Sequence, residues 1–413
     1  MSNLPKGQCY TGYLFARMDA SGEYNICCGS IPIAGSYKED GRFLKYWKSD
    51  KLKKLLYGLK INLLKYNSMW DNACDDCPHV VSNNEIYDHI EGVRELPSDS
   101  VSVKGHGLDL YLESFKSDDF TSINNVYTID DFTLAPVSFS FEIINSCDHR
   151  CNFCWNWSYD MLDNNAQWPD WKSWTKEKIS FKIFKETIDD LIELGSPVPL
   201  GSGLGGCEDI LICGGGEPFL HPQIMDMISH VKHNNFYCQV TTNFSNSVTD
   251  ERIDELIKLQ TNQLIINTSA GTEETYCKTR KVKKSAWDKL LHNLNYISKR
   301  KKEVDSVNPE VITKFILTRT NVHEISEMID LAIKTKADTI TFKRFLVNDV
   351  YSGKNLTVTD EQYNKFRPIL GDKLEQYEFE KIIDYNGMYN FNYVSKKHNV
   401  TLRSDITGFF SNS

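Results

Sequence analysis

No run of roughly 18 apolar residues interrupts the 413-residue chain, so no membrane-spanning helix is expected. The segment Met1 to Cys9 lacks the basic and apolar regions of a secretory signal, and the expectation is a cytoplasmic protein. There is no fixed-period repeat and no low-complexity block. Basic charge is not in excess: 47 Lys and Arg against 56 Asp and Glu leave a net charge of −9. That balance argues against a broad nucleic-acid surface, though not against a local basic groove. The ten histidines include no HxxxH or HExxH metal pair. The glycine-rich stretch Ser202 to Gly206 lacks the Lys and Ser/Thr that end a phosphate loop.

Cysteine is abundant instead, with 12 residues. A disulfide scaffold does not suit a long chain without an export signal, and clustered cysteines in a reducing cytosol point to metal or iron–sulfur ligation. One cluster is Cys147, Cys151 and Cys154. The other comprises Cys9, Cys27 or its neighbour Cys28, Cys74 and Cys77. Cys207, Cys213, Cys238 and Cys277 are scattered in mostly apolar surroundings and read as buried thiols. Cys277 and Cys207 are the best placed of them for hydrogen-atom chemistry.

The chain divides by rhythm. Residues 1–80 read as a small module, with a hairpin over Gly12 to Ile26 turning at Asp19-Ala20-Ser21-Gly22, then a helix over Gly41 to Leu64. Residues 81–135 are acidic and polar and read as a connector. From 136 to 345, six strand patterns alternate with helical ones. The strands are Val137–Ile144, Asp209–Cys213, Phe236–Thr242, Gln263–Asn267, Val311–Leu317 and Thr339–Phe342. The helices are 177–194, 222–234, 249–259, 285–300 and 323–335. Such alternation implies βα units and a parallel sheet that curls into a full or partial barrel, with active residues at the carboxyl ends of the strands. Residues 346–413 form a C-terminal extension.

Cys147-Asp148-His149-Arg150-Cys151-Asn152-Phe153-Cys154 immediately follows the first of these strands. Three thiolates at this spacing can bind three irons of a cubane and leave the fourth open to a chelating ligand, whereas a structural site is closed by four protein ligands. A zinc knuckle borrowing His149 or a distant Cys is the plainer alternative. With Phe153 before the last cysteine, and Gly214-Gly215-Gly216-Glu217-Pro218 ending the next strand, the sequence resembles the radical S-adenosylmethionine (SAM) superfamily over about residues 136–345. The resemblance implies an α/β fold with a partial (β/α)6 TIM-like barrel. It also implies a 4Fe–4S cluster on Cys147, Cys151 and Cys154, and SAM bound near Phe153, Gly214, Gly215, Gly216, Glu217, Asn243, Ser269 and Arg280. Glu217 would take the acidic position beside the methionine amino group, Ser269 the ribose or carboxylate, and Arg280 the carboxylate. A helix N-cap for Ser269 and a solvated surface position for Arg280, which sits among Lys278, Lys281, Lys283 and Lys284, are the plainer readings. The implied chemistry is reductive cleavage of SAM to a 5′-deoxyadenosyl radical that abstracts hydrogen from a C–H bond.

The N-terminal pattern, C-x12-G-x4-C followed by Cys74-Asp75-Asp76-Cys77, resembles the half-size SPASM module called Twitch, here ahead of the barrel. That resemblance implies a small α+β domain with a second, auxiliary 4Fe–4S cluster on Cys9, Cys27, Cys74 and Cys77. Zinc would satisfy four thiolates equally well. Implied partners are a peptide or a small, sugar-like substrate and a reductant such as flavodoxin or ferredoxin. Rivals are a radical methyltransferase, for which no cobalamin motif is present, and a non-catalytic iron–sulfur or zinc scaffold. Trp155, Trp157, Trp168, Trp171 and Trp174 read as core packing or an aromatic lid. Lys343 or Arg344 reads as a contact to an anionic substrate group or as surface. No catalytic side chain is singled out.

Overall fold

The computed structural model describes residues 15–27, 35–53, 135–154, 156–158, 175–200, 206–345, 356–382 and 391–404. The connector over 81–134, Cys9, Cys28, Cys74, Cys77 and Trp155, Trp168, Trp171 and Trp174 lie outside the described residues.

The chain begins with β1 (Phe15–Met18), β2 (Glu23–Asn25) and β3 (Gly35–Ser36), followed by α1 (Tyr37–Asp40) and α2 (Phe43–Trp47). The expected hairpin turn is present. Asp19 Oδ1 accepts the N–H groups of Ser21 and Glu23, and Gly22 takes φ +85°, a conformation open to glycine at little steric cost. Within the helix expected over 41–64, α2 ends at Trp47 and helical residues resume over 50–53, and 54–64 lie outside the described residues. Then follow β4 (Ser138–Glu142), α3 (Phe181–Glu193), β5 (Asp209–Cys213), α4 (Ile224–His233), β6 (Tyr237–Thr242), α5 (Asp250–Lys258) and β7 (Gln263–Asn267). Next come α6 (Glu273–Arg280), α7 (Lys284–Glu303), β8 (Glu310–Leu317), α8 (Ile325–Thr335) and β9 (Thr339–Arg344). The extension supplies α9 (Asp360–Gln376), β10 (Glu380–Ile382), β11 (Phe391–Ser395) and β12 (Val400–Ser404). All six strands expected between 136 and 345 form. Two of their helices, α3 and α5, and also α9 start at side-chain caps, Ser180, Thr249 and Thr359, whose hydroxyls accept amides of the first turn.

All strands join one sheet in the order β3-β2-β1-β4-β5-β6-β7-β8-β9-β12-β11-β10. The parallel run is longer than the six strands expected, since β1 pairs in parallel with β4 and β12 in parallel with β9. β1, β2 and β3 therefore continue the barrel sheet. Pairing of this kind leaves no local trace, because register depends on which edge is free and not on the period of the strand itself.

One sheet face carries the core. Ile210, Ile212, Val240, Leu264 and Ile266 are fully buried under the helices, together with Phe184, Ile228, Leu256, Leu290 and Ile329. The opposite, concave face is polar: Arg17, Glu142, Cys213, Gln239, Asn267, Lys314 and Lys343 alternate with those core residues and stay partly accessible. The N-terminal elements are bound to the barrel by Asp190 of α3, whose side chain is fully buried and receives Arg42 and the Leu44 N–H from α2. Removing the guanidinium leaves that carboxyl with one donor. Arg42→Ala is therefore expected to cost about 2 kcal/mol, the scale of a hydrogen bond to a charged group. Urea denaturation measures it, and an unchanged midpoint would show that the pair contributes nothing.

Candidate active site at the carboxyl ends of the strands

Two loops meet where β4 and β5 end. The first carries the three cysteines, and the second is Gly214-Gly215-Gly216-Glu217. They are sewn backbone to backbone: Gly216 N–H donates to Ile144 O at 2.9 Å and Glu217 N–H to Ser146 O at 2.8 Å. A Cβ on Gly216 would lie 1.9 Å from the Ser146 carbonyl oxygen, so only glycine allows this approach. Asn156 Nδ2 donates to Gly215 O at 3.0 Å, and Trp157 Nε1 to Asn145 O at 2.8 Å. Trp157 is thus a buried clamp on the loop, with the Arg150 guanidinium 3.9 Å from its ring centroid. From the other side α6 grips the cysteine loop: Arg150 N–H donates to Arg280 O at 3.0 Å and Asn152 N–H to Thr279 O at 2.8 Å.

Glu217 is buried. Its Oε1 accepts the Phe219 N–H and the Thr242 hydroxyl, and its Oε2 accepts the Asn243 N–H at 2.7 Å. Burial pushes the carboxyl up to about 7 against those donors. The Asn243 side chain reaches back to Asp148 Oδ1 at 2.8 Å, tying the end of β6 to the cysteine loop. Ser269 is not a helix N-cap; Thr272 caps α6. Ser269 instead sits fully buried at φ +51°, with its hydroxyl accepting Ile316 N–H and its carbonyl accepting Asn321 Nδ2. Arg280 is not a surface residue either, being 2% exposed. It donates to the carbonyls of Thr268 and Asn267 and, at 3.6 Å, to Cys151 Sγ. Phe153 packs against Phe345 and Leu356, with the Arg280 guanidinium 5.7 Å from its ring centroid.

The three cysteines are free thiols, Cys151 buried and the others partly so. Burial raises all three, Cys154 to about 12, and each of Cys147 and Cys154 is raised further by Cys151 beside it. Three neighbouring sulfurs that cannot ionise alone suit a cationic metal centre, whose binding removes the protons. Among the described residues no three His, Cys, Asp or Glu side chains close on a single point as one metal ion requires. Around the loop lie buried polar atoms without partners: Asp148 Oδ2, Asn152 Oδ1, Asn156 Oδ1 and Asn267 Oδ1. All four are acceptors, which suits a ligand that brings N–H donors.

Residues 141–332 match the sequence profile of the Radical SAM superfamily. This stretch is a radical SAM domain. The superfamily implies an enzyme that uses a 4Fe–4S cluster and SAM, and the site residues fit both. A relative from Pyrococcus furiosus, the tungsten-containing aldehyde ferredoxin oxidoreductase cofactor-modifying protein, is 23% identical over 256 residues, covering 59% of this chain and 65% of its own. Among solved structures, Streptococcus suis SuiB bound to its precursor peptide SuiA aligns at TM-score 0.44 and 14% identity, covering 62% of this chain and 50% of that one. The structure of anSMEcpe with bound AdoMet aligns at TM-score 0.43 and 13% identity, covering 58% of each chain. The chain thus spans less than two thirds of each of these relatives.

The radical SAM domain gathers Cys147, Cys151, Cys154, Phe153, Gly214 to Glu217, Asn243, Ser269 and Arg280 at one end of the sheet. Of the N-terminal cysteines, Cys27 is buried in the core cluster at the end of the hairpin. Cys207 is fully buried away from the concave face, and Cys277 lies on α6 with no share in the loop contacts. Cys213 is the thiol that faces the concave side, 3.3 Å from Ser140 Oγ. Asn145 and Asn156 are parts of the site that no motif indicated, whereas Trp157 is one of the tryptophans read as core packing or a lid. Among the described residues no helix is long and apolar enough to cross a membrane.

Proposed function

We propose that this chain is a radical SAM enzyme of the reducing cytoplasm that abstracts hydrogen from a C–H bond of a polar peptide or small-molecule substrate. The observation that carries the reading is the contact between the cysteine loop and the Gly214–Glu217 loop, made through backbone atoms at Gly216. When bound, the cluster and SAM supply a 5′-deoxyadenosyl radical. Cys147, Cys151 and Cys154 would hold the cluster. Gly214 to Gly216 let the glycine loop close on the cysteine loop, and the orphan acceptors of Asp148, Asn152 and Asn156 would suit donors such as the SAM ammonium group. Phe153 and Trp157 keep water from the loop. Beyond, the substrate would lie on the concave face, where Arg17 paired to Glu142 at 2.9 Å, Lys314 and Lys343 suit polar or charged groups. An external one-electron donor of the flavodoxin or ferredoxin kind would deliver the electron.

The finer reading adds a second 4Fe–4S cluster on Cys9, Cys27, Cys74 and Cys77, a Twitch-like arrangement that favours oxidation of the substrate. Iron per chain after anaerobic reconstitution tests both parts. About 8 irons falling to about 4 in the Cys147→Ala/Cys151→Ala/Cys154→Ala triple variant supports two clusters. About 4 falling to none leaves the N-terminal cysteines with zinc or no metal. Iron that does not fall at all would sink the assignment.

A further inference from the structure

We propose that Arg280 is a positioning residue that sets the reduction potential of the cluster on Cys147, Cys151 and Cys154, by presenting a fixed positive charge and an N–H group to the Cys151 sulfur. The proposal rests on those cysteines holding a cluster. Its ground is geometric. The side chain of Arg280 is buried at 2% exposure, and its three hydrogen-bond acceptors are the Thr268 carbonyl at 3.0 Å, the Asn267 carbonyl and Cys151 Sγ at 3.6 Å. No carboxylate is among them. Two carbonyls orient a guanidinium but leave its charge in place, and a buried charge is costly unless an anion answers it. The anionic thiolate–iron centre would be that anion at the sulfur, beside the nearby Asp148 carboxyl.

The rest of the residue makes the placement rigid. Its own carbonyl accepts the Arg150 N–H, in the middle of the cysteine loop, at 3.0 Å. The guanidinium carbon stands 5.1 Å from the Tyr276 ring centroid and 5.7 Å from that of Phe153. Thr275, Tyr276, Thr279 and Arg280 form the buried face of α6, so the helix delivers the charge to the sulfur with little freedom to move. The step concerned is the transfer of one electron from an external donor to the cluster, and no bond to Arg280 forms or breaks. Reduction adds negative charge beside the guanidinium, so Arg280 stabilises the reduced form more than the oxidised one and holds the potential up.

The test is an EPR-monitored redox titration, without SAM and with dithionite as donor, of the reconstituted full chain carrying Arg280→Gln or Arg280→Lys. The cysteine triple variant identifies the signal of this cluster. At the wild-type midpoint the ratio of reduced to oxidised cluster is expected to fall about tenfold in Arg280→Gln, a drop of about 59 mV for one electron. Arg280→Lys, which keeps the charge and loses the fork, should fall less. An Arg280→Gln protein with wild-type iron and an unmoved midpoint overturns the proposal, as does Arg280→Lys falling as far as Arg280→Gln. A variant that loads no iron does not end the test. Wild-type protein labelled with guanidino-15N arginine should show nitrogen coupling to the reduced cluster that survives Arg150→Lys, and its absence also overturns the proposal. Iron that is equal in wild type and triple variant is a different result, for there the cluster assignment fails.

Discussion

Gly216→Ala is expected to destabilise the chain by more than about 3 kcal/mol and to prevent iron from entering the Cys147–Cys154 site. The added Cβ would stand 1.9 Å from the Ser146 oxygen, 2.4 Å from the Ser146 carbonyl carbon and 2.6 Å from the Asn145 oxygen. All three are backbone atoms, so no side chain can swing away. Relief requires the two loops to part, which breaks Gly216 N–H to Ile144 O and Glu217 N–H to Ser146 O and shifts Cys147, the next residue along. Two buried backbone hydrogen bonds and a steric conflict place the change in the severe class. Gly371 is the control, since it lies on the exposed side of α9 with nothing within 4 Å of an added Cβ. Gly371→Ala should stabilise by up to about 1 kcal/mol, the helix-propensity gain. Urea denaturation and iron content read both variants. A Gly216→Ala protein with full iron and wild-type stability would show that the loops are not held as described.

The cluster-free chain should lose about 4–5 kcal/mol of stability between pH 6.5 and pH 3 through His149 alone. This imidazole is 1% exposed, bonded through Nε2 to Ser245 Oγ at 3.1 Å and packed edge-on against Tyr276, while its Nδ1 has no partner. Burial first, and then the nearby charges of Arg280 and Arg150, depress it from 6.5 to about 3. The unfolded histidine takes up a proton below pH 6.5 and the folded one does not until about pH 3. The unfolded state therefore binds more protons in that window, and stability falls as pH falls, at about 1.36 kcal/mol per unit. His149→Phe keeps the ring packing and removes the proton site. Its urea midpoint should show a shallower acid slope than wild type, and equal slopes would assign the acid loss to other groups. Glu217, raised to about 7, acts in the opposite sense between pH 4.5 and 7, so the histidine contribution is read as the difference between the wild-type and His149→Phe slopes.

Much of the site was legible because its parts are local. The spacing of Cys147, Cys151 and Cys154, the triple glycine before Glu217, and their positions after successive strand patterns are properties of short stretches. Tertiary structure then puts those stretches side by side with no choice left, because consecutive parallel strands end at the same side of the sheet. Arg280 was harder to read. Four lysines around it suggested a wet surface, yet Thr275, Tyr276 and Thr279 recur at helical spacing on its own face and were the signal for an inward side chain. Asn156 and Asn145 had no such signal, because their roles lie in contacts between loops of no fixed period.

By itself the sequence determined the βα alternation, the six central strands and the identity of the two loops that make the site. These follow from hydrophobic period and residue type, which act over a few neighbours. Only the tertiary structure decided that β1 and β12 lengthen the parallel sheet at its two ends, that Asp190 ties the N-terminal elements to α3, and that one arginine with lysines near it in sequence points at Cys151. Each of these joins groups from 62 to 148 residues apart or turns on which face of a helix meets the core. Such choices are made by the packing of the whole chain and not by the pattern of any part of it.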